Sequence, residues 1–365
     1  MTRKRIIIAL GALLVISIIG LLIYFGRKPS GIKQILPPLQ PKSAAKPAVP
    51  SAKPKAISDK EVLKFWIAGE AEKVFYLSSD GQIAEAKEGA DTYLTGNGLP
   101  NPVLALPSPD SEKVLVGFRL NDSYYPQFSL FNLTSASWRP FEIAIEAVAW
   151  SPSSDEIAIL ERSGENKNLV LTDLEGQIKR KILKNIGLED MVMEWPEPEA
   201  ILFYSKPSGF NEGELWTFNL ERQTFEKLIA SSEKTAGLTW KWSAAAGLGF
   251  MSTGNGELGL TDSKTRAIMT LSANTLADKC AADEDNLYCF VPQSIPTGIV
   301  LPDDYLQGKV YFRDNLFKIN LETREGRIIL ASNEGFAADG RDPQVMNGRL
   351  YFINRYDDRV YLLDL

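Results

Sequence analysis

From Val62 to Leu365 the apolar residues fall in short runs broken by Ser, Pro, Asp and Gly, and nowhere do they recur at a helical interval. The clearest unit is Ala147-Val148-Ala149-Trp150-Ser151-Pro152-Ser153-Ser154-Asp155-Glu156-Ile157-Ala158-Ile159-Leu160. An apolar run ends at Trp150, a turn follows in which proline presets φ and Ser and Asp bond the local backbone, and a second apolar run begins. Leu169 to Leu174 and Gln177 to Leu183 supply a third and a fourth strand, so the segment predicts four antiparallel strands joined by short turns.

The unit recurs. Pro107, Trp150, Trp195, Trp242 and Ala282 occupy the same position before the turn, at intervals of 43, 45, 47 and 40 residues. Each is followed by a second strand (Lys113 to Phe118, Ala200 to Tyr204, Gly247 to Met251, Leu287 to Val291) and then by a third. Phe65-Trp66-Ile67 with Val74 to Leu77 opens the series, and Arg349 to Asn354 with Val360 to Leu365 closes it. A period near 40–45 residues of four short strands predicts an all-β, seven-bladed propeller over residues 57–365. The last blade shows three clear strands. A stretch around Ile57 to Val62 is expected to supply the fourth and close the ring.

The Trp-Ser-Pro and Ser-Pro-Asp turns resemble those of TolB-type, WD-repeat-like propellers. Over residues 60–365 the chain also resembles membrane-anchored propeller proteins of candidate-phylum bacteria. That likeness is carried by Trp150-Ser151-Pro152, Lys206 to Phe210, Lys279-Cys280, Leu287-Tyr288-Cys289, Val291 to Pro296 and Leu301 to Tyr305. It implies a fold and no known reaction. At Trp195-Pro196-Glu197-Pro198 and Trp242-Ser243-Ala244-Ala245 the turn has decayed from the pattern.

Ahead of the propeller the pattern changes twice. Ile6 to Gly26 is an uncharged, apolar run of 21 residues. As a helix it measures about 31 Å, which matches a bilayer core of about 30 Å. It exceeds the apolar region of a signal peptide and ends in Tyr24-Phe25 and then charge, which favours an uncleaved anchor over residues 1–27. Cations flank both ends. The short tail with Arg3, Lys4 and Arg5 is the harder end to translocate, which predicts a cytoplasmic N-terminus and an extracytoplasmic propeller. Residues 28–56 are rich in Pro, Ala and Lys and predict an extended polyproline linker.

Composition narrows the chemistry. Ten of the 40 basic residues lie in residues 1–58, which hold no Asp or Glu, so the remainder sets 30 basic against 46 acidic groups, a net −16. So acidic a domain is a poor partner for nucleic acid. The chain has no histidine, which removes the Ser-His-Asp triad and every His-ligated metal or haem site. No catalytic motif and no cofactor or metal signature stands in their place. The turn Asp283-Glu284-Asp285 lacks the pattern of a calcium loop and reads as a solvated turn.

The two cysteines, Cys280 and Cys289, flank that turn. If residues 283–286 form it, Ala282 faces Leu287, Ala281 faces Tyr288 and Cys280 faces Cys289, within disulfide reach. Trp150, Trp195 and Trp242 obey the repeat, as packing between blades requires. Asn121-Asp122-Ser123 and Asn132-Leu133-Thr134 match the glycosylation sequon by chance. Two insertions, Ser205 to Glu214 and Gln293 to Arg313, fall between second and third strands and so emerge on one face. Phe210, Asp303, Asp304 and Tyr305 in them are the candidate interaction residues.

The expected function is a non-enzymatic, monomeric recognition or scaffolding propeller that binds an envelope protein, peptide or polymer. The alternative is a carboxylate-dependent hydrolase or lyase with paired acids in the central channel.

Overall fold

The computed structural model describes residues 53–365 apart from 121–122, 124, 230–232 and 263–267. The anchor at residues 6–26, most of the linker and the Asn121 sequon lie outside the described residues. No described helix is long and apolar enough to cross a membrane.

The described residues form seven four-stranded antiparallel sheets. In blade three Ile145–Trp150 is innermost, followed by Ile157–Ser163, Asn166–Thr172 and Ile178–Leu183. Ile157 to Leu160 are all buried, because a blade inside a ring is covered on both faces and its second strand is apolar on both. The core therefore lies in layers between blades. Leu115, Phe128 and Phe141 of blade two pack with Val148, Trp150 and Ile159 of blade three. Trp150 also donates from Nε1 to the Leu106 carbonyl of blade two at 2.8 Å, and Ser154 Oγ accepts from Asp110 N at 2.9 Å. Trp195, Trp240 and Trp242 likewise face the preceding blade. The recurrent tryptophans are inter-blade packing, as their spacing predicts.

Ring closure differs from expectation in its position. The outermost strand of blade seven is Lys55–Ala56, paired antiparallel with Arg359–Asp364, with Lys55 opposite Leu362 and Ala56 opposite Tyr361. Ile57 N adds a bond to Val360 O at 2.8 Å, and Ser58 Oγ accepts from Val360 N at 2.9 Å. The expected stretch of 57–62 instead carries the chain across to Val62, where the innermost strand of blade one (Val62–Ala68) begins. So short a strand inside a Lys/Pro run carries no alternation to betray it, and the propeller starts within what reads as linker.

Strand direction defines two faces. Turns after the first and third strands of each blade lie on one face, here the lower. Connections after the second strand, and those between blades, lie on the upper face. Both insertions are on the upper face. Lys55–Ala56 runs from the lower face upward, so the preceding chain arrives at the lower face.

Cys280 and Cys289 form a disulfide between directly paired residues of Cys280–Ala282 and Asn286–Pro292. The turn between them is held by Asp283 Oδ1, which accepts from Asp285 N at 3.0 Å and Asn286 N at 2.7 Å.

Candidate functional site

The larger insertion folds as a cap of its own on the upper face. Leu301, Tyr305 and Phe312 pack on Leu276 of the propeller, with Ile295, Ile299 and Val310 around them. A single helical turn, Asp303–Leu306, lies at its centre. Seven apolar side chains are enough to order a loop that long.

Beneath the cap sits a buried charge cluster. Lys279, just before the innermost strand of blade six, stands 2.7 Å from Asp314 Oδ2 and 2.7 Å from Asp339 Oδ1. It also donates to the Tyr305 hydroxyl at 2.9 Å. Arg355 bonds Asp339 Oδ2 at 3.1 Å and the Tyr305 carbonyl at 2.7 Å, and lies 3.7 Å from the Tyr305 ring centre. Burial alone would depress the Lys279 ammonium, but the two carboxylates hold it above its ordinary value. Burial pushes Asp314 up to about 6 against the pull of Lys279. Two carboxylates do meet here, yet a lysine lies between them and solvent is excluded. The arrangement locks the cap to blades six and seven.

The cap also reaches blade four. Asp303 accepts a hydrogen bond from Gly209 N in the smaller insertion, and a Cβ at Gly209 would lie 2.5 Å from the Leu301 carbonyl. Gly237, with φ +74°, bonds Ser208 O at 2.7 Å and leaves Leu301 the same close approach.

This geometry divides the candidate residues. Phe210 is 76% exposed and stands free at the loop tip. Tyr305 is 1% exposed, which corrects the expectation that it presents a contact surface; its ring stacks on Phe312 at 5.3 Å instead. Asp303 ties the two insertions together. Asp304 closes its own turn by accepting from Val300 N at 2.8 Å and Lys309 Nζ at 3.1 Å. Other exposed apolar groups are Leu306 (55%) and Tyr356 (46%), which no sequence pattern marks, and Tyr311 (49%), whose aromatic ring suggests an ordered insertion and stacks on Tyr356 at 5.9 Å. Tyr356 follows the second strand of blade seven and so reaches the same face. With Phe210 they form a rim of large apolar side chains on rigid supports.

The inner strands hold a second constellation. Asp342 sits at a bulge of Gly340–Met346 with φ +49°, which aims its carboxylate 2.6 Å from Lys64 of blade one and 3.6 Å from Lys241 of blade five. Lys241 Nζ reaches on to the carbonyls of Cys280 and Pro343 at 3.1 and 3.3 Å. Burial works to raise Asp342, but the two lysines hold it low, while burial lowers Lys241. Glu194, on the innermost strand of blade four, accepts from Trp240 Nε1 at 3.0 Å and the Tyr204 hydroxyl at 3.4 Å, and burial pushes it up to about 7. Among the described residues no cluster of acids and cysteines could hold a metal ion.

No protein-family profile matches the chain, and no curated protein sequence does. Solved structures do, in 1185 chains, too many to single out a function. One is the tricorn protease, with a TM-score of 0.55, 8% identity, and coverage of 87% of this chain and 34% of that one. The chain thus spans about a third of that protein. Another is the β-propeller domain of the trilobed protease from Pyrococcus furiosus (TM-score 0.53, 13% identity, 83% and 95% coverage), described as having an open velcro topology. Here, in contrast, Lys55–Ala56 completes the last blade. A third is oligogalacturonate lyase from Vibrio parahaemolyticus (TM-score 0.50, 10% identity, 86% and 98% coverage). Likeness at these identities establishes the propeller fold and nothing finer.

Proposed function

We propose that the chain is a membrane-anchored, extracytoplasmic TolB-type propeller that binds an envelope protein, peptide or polymer through its upper face. The observation that carries this reading is the set of Phe210, Leu306, Tyr311 and Tyr356, large apolar groups exposed on the upper face, the first three on the two insertions and Tyr356 on the turn after the second strand of blade seven, with a buried ion cluster holding the larger insertion in place. Exposed aromatic groups on an ordered support are what a recognition surface offers, since little side-chain freedom is lost on contact. The 21-residue apolar run supports the anchor, and a chain arriving at the lower face leaves the upper one open to a partner.

The test is quantitative capture from envelope extracts by residues 53–365, which hold every strand of the ring. Phe210→Ser, Leu306→Ser and Tyr311→Ser combined should weaken capture at least tenfold while the melting temperature holds. Equal capture by the variant, or none by the parent, sinks the reading.

A second reading is favoured by Glu194, a buried carboxyl group on the innermost strand of blade four that holds Trp240 Nε1 at 3.0 Å and that burial pushes up to about 7. A carboxyl group poised near neutrality suits proton transfer in an envelope hydrolase or lyase acting on an acidic polysaccharide. Turnover of polygalacturonate by the parent, lost in Glu194→Gln, would establish it; absence of turnover removes it.

A further inference from the structure

The cluster beneath the cap holds an amine and a carboxyl group in contact where no solvent reaches them. Lys279 ends the turn Ala277–Lys279, and Asp314 opens the strand Asp314–Asn320, its own N tied to Ala338 O at 2.8 Å. The side chains of Lys279, Asp314 and Asp339 are wholly buried, and Nζ lies 2.7 Å from Asp314 Oδ2 and 2.7 Å from Asp339 Oδ1. The rings of Tyr305 and Phe312, centred 4.7 and 5.6 Å from Nζ, cover it.

The two carboxyl groups differ in how they are served. Asp339 is fully engaged: Oδ1 also accepts from the Tyr305 hydroxyl at 3.2 Å, and Oδ2 accepts from Phe312 N at 3.0 Å and Arg355 at 3.1 Å. Asp314 Oδ2 accepts from Gly340 N at 3.0 Å, but Asp314 Oδ1 is buried with no hydrogen-bond partner among the described residues. A carboxylate oxygen left so is costly, whereas an amide has no second oxygen to satisfy. Burial accordingly pushes Asp314 up to about 6. Asp339 and Arg355 make a complete pair by themselves, so the interior can lose the charges of Lys279 and Asp314 together and strand neither sign.

We propose that Lys279 Nζ and Asp314 Cγ join in an intramolecular amide, an isopeptide bond that pins the third strand of blade six to the turn before its first. The resting amine is an ammonium, because the two carboxylates hold Lys279 above its ordinary value against burial. Asp339 takes a proton from Nζ across their 2.7 Å contact, and the freed amine attacks Cγ. Gly340 N, already on Oδ2, donates to the oxyanion that forms there. In two transfers Asp339 carries protons from Nζ to Oδ1, which leaves as water. Of the three ammonium hydrogens one stays on the amide nitrogen and two depart with Oδ1; charge balances, nothing is oxidised, and no co-reactant enters. Groups held in contact react as if at about 10⁵–10⁸ M, which offsets the scarcity of free amine. The product removes an ion pair from the interior and leaves Asp339 with Arg355. The bond holds the base of the cap whatever the upper face binds.

The purified full chain, kept folded at neutral pH until its mass is constant, is denatured, reduced and cut with trypsin. Trypsin should fail after Lys279, and residues 314–318 should come off joined to the peptide that carries Lys279, about 18 Da below the sum of the two. Lys279→Met should release residues 314–318 free. Asp339→Asn keeps both partners and should slow the joining at least tenfold. If that variant does not fold, Asp314→Asn preserves the shape of the site and should still join, now with ammonia expelled and a deficit of about 17 Da. Residues 314–318 free in the parent overturn the proposal. So does a water lost elsewhere as a cyclic imide, which leaves trypsin cutting after Lys279. Joining at the parental rate in Asp339→Asn overturns the proton relay.

Discussion

Lys279 and Asp339 each directly precede the innermost strand of a blade, six and seven, and their side chains meet at 2.7 Å in a site closed to solvent. Asp314 completes the contact from the other side. Replacing Lys279 with Met would strand the Asp314 carboxylate in the interior and leave Asp339 with Arg355 alone, a change that costs about 3–5 kcal/mol. The urea midpoint should fall accordingly, and fall less at pH 5 than at pH 8, because Asp314 titrates near 6 and can then become neutral. An unchanged midpoint at pH 8 would show that the cluster does not hold the cap.

The disulfide closes a ten-residue loop between two wholly buried cysteines. Cys280→Ser with Cys289→Ser should cost about 2.5–3 kcal/mol by the chain-entropy estimate. Denaturing alkylation of the parent should leave its mass unchanged until a reductant is added. Two alkylated thiols without reductant would refute the bond in the isolated protein.

Glu194 makes stability depend on pH in a definite sense. Its carboxyl titrates at about 7 in the folded chain against an ordinary 4.5, so the folded state holds the proton more tightly than the unfolded state. The stabilisation is fully present below pH 4.5 and is lost as pH rises through 7. The difference in unfolding free energy between the parent and Glu194→Gln should therefore shrink or invert across that window. A difference independent of pH would mean that Glu194 is ionised throughout.

Truncation tests the seam. A chain beginning at residue 59 lacks Lys55–Ala56 and the bonds of Ile57 and Ser58 to blade seven. At about 0.5–1.5 kcal/mol for each hydrogen bond, the loss is about 2–4 kcal/mol relative to a chain beginning at residue 53. Equal melting temperatures would show that the ring closes without its first strand.

The repeat was legible because blades two to five restate it with Pro107, Trp150, Trp195 or Trp242 before a turn, and the cysteine register because the Asp283 turn fixes the pairing of its flanks. Lys55–Ala56 was hidden by its length. Tyr305 misled for a different reason. An aromatic residue in a long loop reads as exposed unless the loop buries a core of its own, and here Leu301 and Phe312 supply one. The Lys279 cluster left no trace, because Lys279, Asp314, Asp339 and Arg355 are ordinary charges in the sequence and only the ring brings them together. The exposure of Leu306, Tyr311 and Tyr356 leaves no mark in the sequence, because no pattern distinguishes a presented apolar group from a packed one.

The first strand enters at the lower edge of blade seven and runs upward beside Arg359–Asp364. A pull on the chain ahead of Lys53, directed away from the lower face, therefore acts along that strand and at right angles to its hydrogen bonds. Such a load is shared among the bonds as shear, whereas a sideways pull would break them one at a time. The seam that closes the ring is thus also the joint that bears tension, and its resistance depends on the direction of the force.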